Sequence, residues 1–192
     1  FPRYHQLDAV RKIVADLEVN KAGLNYLIQH SAGSGKTNSI TWLAHRLTSL
    51  HDTDNKQIFD NVVVVTDRVV VDRQLQAALL GIEHKAGLIR VMDEKCSSAD
   101  LANALNSNTK IIATTIQKFP YIVDSVKGLK NKKFAVIIDE AHSSTSGKDM
   151  AAVSKSLGAG EDDFTDVQDM MTDEIRRNGK QPNVSIFAFT AT

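Results

Sequence analysis

The sequence has a single cysteine, Cys96, among its 192 residues. One cysteine cannot close an internal disulfide, so a disulfide-stapled fold is excluded and a reducing compartment is favoured. No apolar run approaches the roughly 20 residues of a membrane-spanning helix, and the valine block at 62–65 is far too short. No secretory signal opens the chain at Phe1, and this start indicates a piece of a longer protein. We therefore expect a cytoplasmic location.

An excess of charge is also missing, because 23 basic and 23 acidic residues give a net charge of +0. A neutral total neither favours nor excludes a nucleic-acid partner, since a locally basic surface remains compatible with it. Hydrophobic residues make up 42% of the chain, which favours a globular fold over disorder. We find no internal repeat and no sharp break in composition, so we expect one domain over residues 1–192.

Short apolar runs alternate with longer amphipathic segments, which is typical of strands and helices that alternate around a parallel sheet. The predicted strands are 24–29, 61–66, 88–91, 110–114, 134–138 and 184–188. The predicted helices are 7–17, 36–50, 70–80, 98–105 and 116–124, with Ser97 or Ser98 as the N-cap of the fourth. We predict a doubly wound α/β fold, a mainly parallel twisted sheet with helices on both faces and a nucleotide site at its carboxyl edge.

The stretch 143–160 departs from this alternation, because it is rich in Ser, Gly, Ala and Lys. The acidic stretch that follows includes a possible helix at 165–177 with an imperfect apolar face. Two interpretations stay open here. One is an exposed loop that leads into a surface helix, and the other is a mobile functional insert.

A glycine-rich loop follows the first predicted strand and opens the next helix. Gly33, Ser34 and Gly35 allow a tight turn whose backbone N–H groups point at phosphate oxygens. Lys36 is predicted to reach the β- and γ-phosphates of a nucleotide, and the Thr37 hydroxyl to bind magnesium. The dipole at the helix N-terminus adds to this anion site. A chance glycine-rich turn is the other interpretation.

The full phosphate-loop pattern, G-x-x-x-x-G-K-[ST], has glycine at the position of His30. This departure reduces the match to the second half of the pattern, the half that touches phosphate. We interpret His30 as a loop spacer rather than as a catalytic base, although both are possible for a histidine here.

Two acids follow the continuous apolar run at 134–138, which is typical of a central parallel strand buried on both faces. Asp139 and Glu140 are thereby delivered to the carboxyl edge of the sheet, where open α/β folds bind ligands. Asp139 is predicted to hold magnesium, and Glu140 to orient or deprotonate the water that attacks the γ-phosphate. Two acids that cap a strand at solvent are the alternative. His142 is ambiguous taken alone.

Together with the phosphate loop, the Asp-Glu-Ala-His (DEAH) box at 139–142 resembles the motor domains of superfamily 2 helicases and translocases. Thr-Ala-Thr at 190–192 resembles the motif that couples nucleotide state to DNA contacts in that superfamily. The sequences of the motifs are more closely similar to those of the motor (R) subunit of type I restriction enzymes. The matching segments span nearly the whole chain in the expected order: 30–37, 66–68 with Leu75, 114–119, and 139–142 with 146–147.

The resemblance implies a set of DNA-contacting and coupling residues, which are Thr66, Arg68, Thr114, Thr115, Gln117, His142, Thr190 and Thr192. Hydroxyls at strand ends can hold DNA phosphates without reading sequence, and Arg68 and Lys118 would add charge that releases counterions. A surface ion pair with Asp67 or Asp72 is the other interpretation of Arg68.

The resemblance also implies an adenine-reading element near the start of the chain, at residues 3–6. Gln6 can bond the adenine edge in two places, and the Tyr4 ring can stack on the base. A polar residue at the start of a helix is the other interpretation of Gln6.

The resemblance implies an enzyme that binds ATP and Mg²⁺ and translocates on double-stranded DNA, with the modification and specificity subunits of a restriction complex as partners. Family members also carry a nuclease domain and a second RecA-like domain, so residues 1–192 correspond to the first RecA-like motor domain. We expect this piece alone to hydrolyse little ATP, because a stabilising arginine from elsewhere contributes several orders of magnitude in rate. The alternatives are another DNA or RNA helicase or remodeller, and a nucleotide-responsive binding module without turnover.

Overall fold

The structure, a computed structural model, describes residues 3–31, 35–66, 73–82, 87–92, 95–115, 118, 125, 129–139 and 182–191. The predicted helix at 116–124 and the region 143–177 lie outside these residues, apart from the isolated Lys118. All other predicted strands and helices are present within a few residues of their expected bounds.

The described elements alternate between helices and strands along the chain. They are α1 (Tyr4–Asn20), β1 (Tyr26–His30), α2 (Lys36–Thr48), β2 (Asn61–Thr66), α3 (Arg73–Gly81), β3 (Ile89–Val91), α4 (Ser98–Asn106), β4 (Ile111–Thr115), β5 (Phe134–Ile138) and β6 (Val184–Ala191). Ser97 caps α4, since its Oγ accepts from Asp100 N at 3.2 Å and its N donates to Asp100 Oδ2 at 2.8 Å.

The six strands form one sheet in the order β1-β6-β5-β2-β4-β3, and every pairing is parallel. Strands β2, β4 and β5 are buried at every position, as continuous apolar runs in a parallel sheet require. The predicted fold class is confirmed, with the sheet parallel throughout the described strands.

Helices cover both faces of the sheet, because alternate residues of each strand point to opposite sides. On one face, Val62 and Val64 share a core with α1, α2 and α3. On the other face, Val63 and Val65 pack with α4. The parallel arrangement brings the carboxyl ends of all six strands to one edge, next to the N-terminus of α2. None of the described helices combines the length and the apolar character needed to cross a membrane.

Candidate active site

The carboxyl edge of the sheet brings together a lysine and an aspartate that lie far apart in sequence. Lys36 is the first residue of α2, and Asp139 directly follows β5. Lys36 Nζ lies 3.2 Å from Asp139 Oδ1, and the two side chains are only 15% and 20% exposed. The backbone fixes the carboxylate as well, since Asp139 N donates to Val65 O at 2.8 Å. A cation and an anion, both poorly solvated, therefore lie in contact with each other at this edge of the sheet.

Gly35 makes the turn that starts α2, in the left-handed conformation with φ of 81°. A side chain here would also clash with Gln6 Nε2, so the Gln6 amide would have to shift away from the loop. Among the described residues no side chain caps this helix, and its first turn contains no acid. The positive end of the dipole of α2 therefore faces this edge of the sheet, which favours an anion here.

The oxygen atoms at this edge suit a magnesium ion. Asp139 contributes a carboxylate, and Thr37, in the first turn of α2, contributes a hydroxyl, and hard oxygen ligands are what Mg²⁺ prefers. Within the described residues no three His, Cys, Asp or Glu side chains cluster as a metal site.

Gln6 connects α1 to the start of α2. Its side chain is 2% exposed, its Oε1 accepts from Arg3 N at 2.9 Å, and its Nε2 donates to Gly35 O at 2.9 Å. Both ends of the amide are thus used, one to start α1 and one to hold the loop. Tyr4, the predicted stacking residue, is 84% exposed and accessible to a planar ligand.

His30 is not the loop residue that the sequence suggested. It is the last residue of β1, it pairs with Ala191 of β6, and its side chain is buried. Its ring lies 5.7 Å from Phe189 and 6.0 Å from His5, centroid to centroid. Burial lowers the pKa of His30, and the nearby His5 and Lys36 lower it further because they oppose a second positive charge. The parallel pairing with β6 extends β1 by one residue and turns this histidine into a core residue.

A cavity of about 260 Å³ opens beside His30, between α1 and the end of β1. Its lining consists of His5, Ala9, Gln29, His30 and Ser31. Sequence reasoning missed this cavity, because it depends on the packing of α1 against a strand that follows it in the chain.

The threonines at the ends of β2 and β4 are buried. Thr66 pairs with Thr115 and Val65 with Thr114, and all three threonines are 2% exposed or less. In this structure their hydroxyls are therefore not presented to the surface. The predicted contacts of these residues with DNA phosphates stay a prediction.

The remaining predicted site residues divide into two groups. Thr190 pairs with Gln29 on β1 and is buried at the same sheet edge. The others lie outside the described residues: Gly33, Ser34, Arg68, Gln117, Glu140, His142 and Thr192.

Comparison with known proteins gives a family match over almost the whole chain. The family model described as SWI2/SNF2 ATPase matches residues 5–192. No curated protein matches the sequence.

Several solved structures share the fold at low sequence identity. The UvsW helicase from bacteriophage T4 has a TM-score of 0.55 at 14% identity, over 98% of this chain and 52% of that one. The Hef helicase domain of Pyrococcus furiosus has a TM-score of 0.58 at 16% identity, over 100% and 33%. A nuclease-deletion mutant of the type ISP restriction-modification enzyme LlaGI, in complex with a DNA substrate mimic, has a TM-score of 0.54 at 18% identity, over 97% and 15%. The chain thus spans about half or less of each of these proteins.

Proposed function

Because the chain belongs to the SWI2/SNF2 ATPase family, we propose that residues 1–192 are the ATP-binding and ATP-hydrolysing first RecA-like domain of a motor that translocates on double-stranded DNA. The motor is proposed to be the R subunit of a type I restriction enzyme. The observation that carries the ATPase assignment is the Lys36–Asp139 ion pair, with 3.2 Å between Nζ and Oδ1, at the N-terminus of α2.

Each residue of the site has a proposed task in ATP hydrolysis. Lys36 exchanges Asp139 for the β- and γ-phosphates, which also receive N–H groups from the start of α2. Asp139 and Thr37 would hold Mg²⁺, whose charge would neutralise the phosphate oxygens. Glu140, next in sequence, orients or deprotonates the attacking water. The Tyr4 ring is proposed to stack on the adenine, and the Gln6 amide to bond its edge.

Two observations support DNA and restriction as the setting of the motor. The resemblance to the R subunit covers segments along nearly the whole sequence, and the LlaGI structure, a restriction-modification enzyme in complex with a DNA substrate mimic, shares the fold. We propose that Thr66, Arg68, Thr114, Thr115, Gln117, His142, Thr190 and Thr192 contact DNA or couple it to the nucleotide. The partners would be the modification and specificity subunits, in the cytoplasm.

A second candidate function is a remodeller-type translocase that acts outside restriction. The family match favours it, since the family description names SWI2/SNF2 proteins rather than restriction enzymes. Both candidates use the same ATP site, so they differ in partners and not in the chemistry at Lys36 and Asp139.

A strand-displacement assay on the full-length protein tests the proposed function. A third strand bound to duplex DNA should be displaced in the presence of ATP, and both Lys36→Ala and Glu140→Gln should abolish displacement. Lys12→Ala is the matched control, because Lys12 is 77% exposed and pairs with Asp8 on the surface of α1. Displacement that requires RNA instead of duplex DNA would contradict the DNA assignment, and tight ATP binding without any turnover would indicate a binding module.

A further inference from the structure

A buried hydroxyl lies at the end of β2, next to the candidate active site. Thr66 is 2% exposed, and its Oγ1 has no hydrogen-bond partner in the part of the chain that the structure describes. Buried side-chain hydroxyls are nearly always bonded, and an unsatisfied one is costly. A hydrogen-bond partner gained in another state of the site would remove this cost.

The strand register places Thr66 beside Asp139. Val62 and Val64 of β2, and Ala135 and Ile137 of β5, all pack in the core beneath α2. Because side chains alternate along a strand, Thr66 and Asp139 continue these two rows on the same face. Val65 pairs with Ile138, so the next residues on the two strands are Thr66 and Asp139.

In this structure the Asp139 carboxylate is paired with the first residue of α2, the helix above the sheet. Lys36 Nζ lies 3.2 Å from Asp139 Oδ1. If Lys36 moves to the phosphates, as the proposed function requires, the carboxylate loses this cation, and a hydroxyl on the neighbouring strand can help to fix its orientation. Thr66 provides a hydroxyl on β2, the strand next to β5, and adjacent strands lie only about 4.8 Å apart.

We propose that Thr66 is a positioning residue for the magnesium site. In the nucleotide-bound state its hydroxyl donates to the Asp139 carboxylate, directly or through one water, and so aims the other carboxylate oxygen at the ion. This rests on the proposed function, because it requires Asp139 to hold magnesium beside a nucleotide. When a group that hydrogen-bonds to a metal ligand and fixes its orientation is removed, the affinity for the metal typically falls about 10- to 100-fold.

The test is a Mg²⁺ titration of fluorescent ATP-analogue binding to the full-length protein, with Thr66→Val as the main variant. Valine has nearly the shape of threonine without the hydroxyl. We expect the Mg²⁺ concentration for half-maximal binding to rise about 10- to 100-fold, with Mg²⁺-free binding unchanged. The melting temperature should stay the same or rise, since an unsatisfied hydroxyl is removed. Thr66→Ser should restore the wild-type titration, and if the valine variant does not fold, Thr66→Ala replaces it.

Thr109→Val is the matched control, because Thr109 is also buried but precedes β4 at the opposite edge of the sheet. It should leave the Mg²⁺ titration unchanged. A wild-type titration for Thr66→Val, or an equal shift for the valine and serine variants, would overturn the positioning role alone. A wild-type protein that binds the analogue without any Mg²⁺ dependence, or Lys36→Ala binding as wild type does, would overturn the proposed function and this role together.

Discussion

At the scale of single residues, the site depends on a glycine that serves two purposes. Gly35 adopts a left-handed backbone that starts α2, and it leaves room for the Gln6 amide, which bonds its carbonyl at 2.9 Å. The first purpose follows from the phosphate-loop pattern in the sequence. The second does not, since nothing in the local sequence shows that α1 reaches this loop.

Replacing Gly35 with alanine should destabilise the protein by about 1–3 kcal/mol, from the strained backbone and the close contact with Gln6. Nucleotide affinity should fall too, since the turn would shift. Gly81→Ala is the matched control, because a Cβ there meets no atom within 4 Å and the residue ends α3. Urea unfolding of the two variants measures the difference, and equal midpoints would contradict the steric account.

His30 should make the protein sensitive to mild acid. Burial, together with His5 and Lys36, lowers the pKa of His30 in the folded state from its ordinary 6.5. As the pH falls below 6.5, the unfolded chain takes up the proton first, so the free energy of unfolding decreases down to the lowered folded-state pKa. Above pH 6.5 this loss is absent.

Urea unfolding between about pH 7.5 and pH 5 measures this effect of His30. His30→Gln should flatten the dependence on pH, and His51→Gln, at an exposed histidine, is the matched control. If His30→Gln keeps the full dependence, another group is responsible.

At the scale of elements, the periodicity of apolar residues predicted nearly every described helix and strand. It succeeded for β2 and β5 because their continuous apolar runs suit only a strand buried on both faces. It placed the end of β6 at 188, whereas the strand continues to Ala191. The extra residues are held by pairing with β1, for instance Thr190 with Gln29. Such pairing between distant segments cannot be recognised from the local sequence.

The packing of α3 gives a prediction at this scale. Leu79 is 0% exposed and lies in the core beneath α2, whereas the adjacent Leu80 is 45% exposed. Leu79→Ala should lower the free energy of unfolding by about 2–5 kcal/mol, because it opens a cavity. Leu80→Ala should cost within about 0.5 kcal/mol. Thermal or urea unfolding compares the two, and similar losses would show that α3 packs in another orientation.

At the scale of the whole molecule, the strand order creates the site. The chain leaves β1 and crosses over β6 and β5 to reach β2, so the loop after β1 and the acid after β5 are separated by one strand. The sequence predicted that Lys36 and Asp139 share an edge, because parallel strands end together. It could not predict their direct ion pair, the buried His30 or the unsatisfied Thr66, since each depends on how α1 and α2 lie over the sheet.

The central claim is that the Lys36–Asp139 site hydrolyses ATP to drive motion on DNA. The most direct test is the rate of ATP hydrolysis by the full-length protein with and without duplex DNA, for the wild type, Lys36→Ala and the control Lys12→Ala. We predict that duplex DNA stimulates the wild type and Lys12→Ala equally, and that Lys36→Ala is about 100-fold slower or worse, since it removes a charge that stabilises the transition state. Equal DNA-stimulated rates in all three proteins would contradict the account.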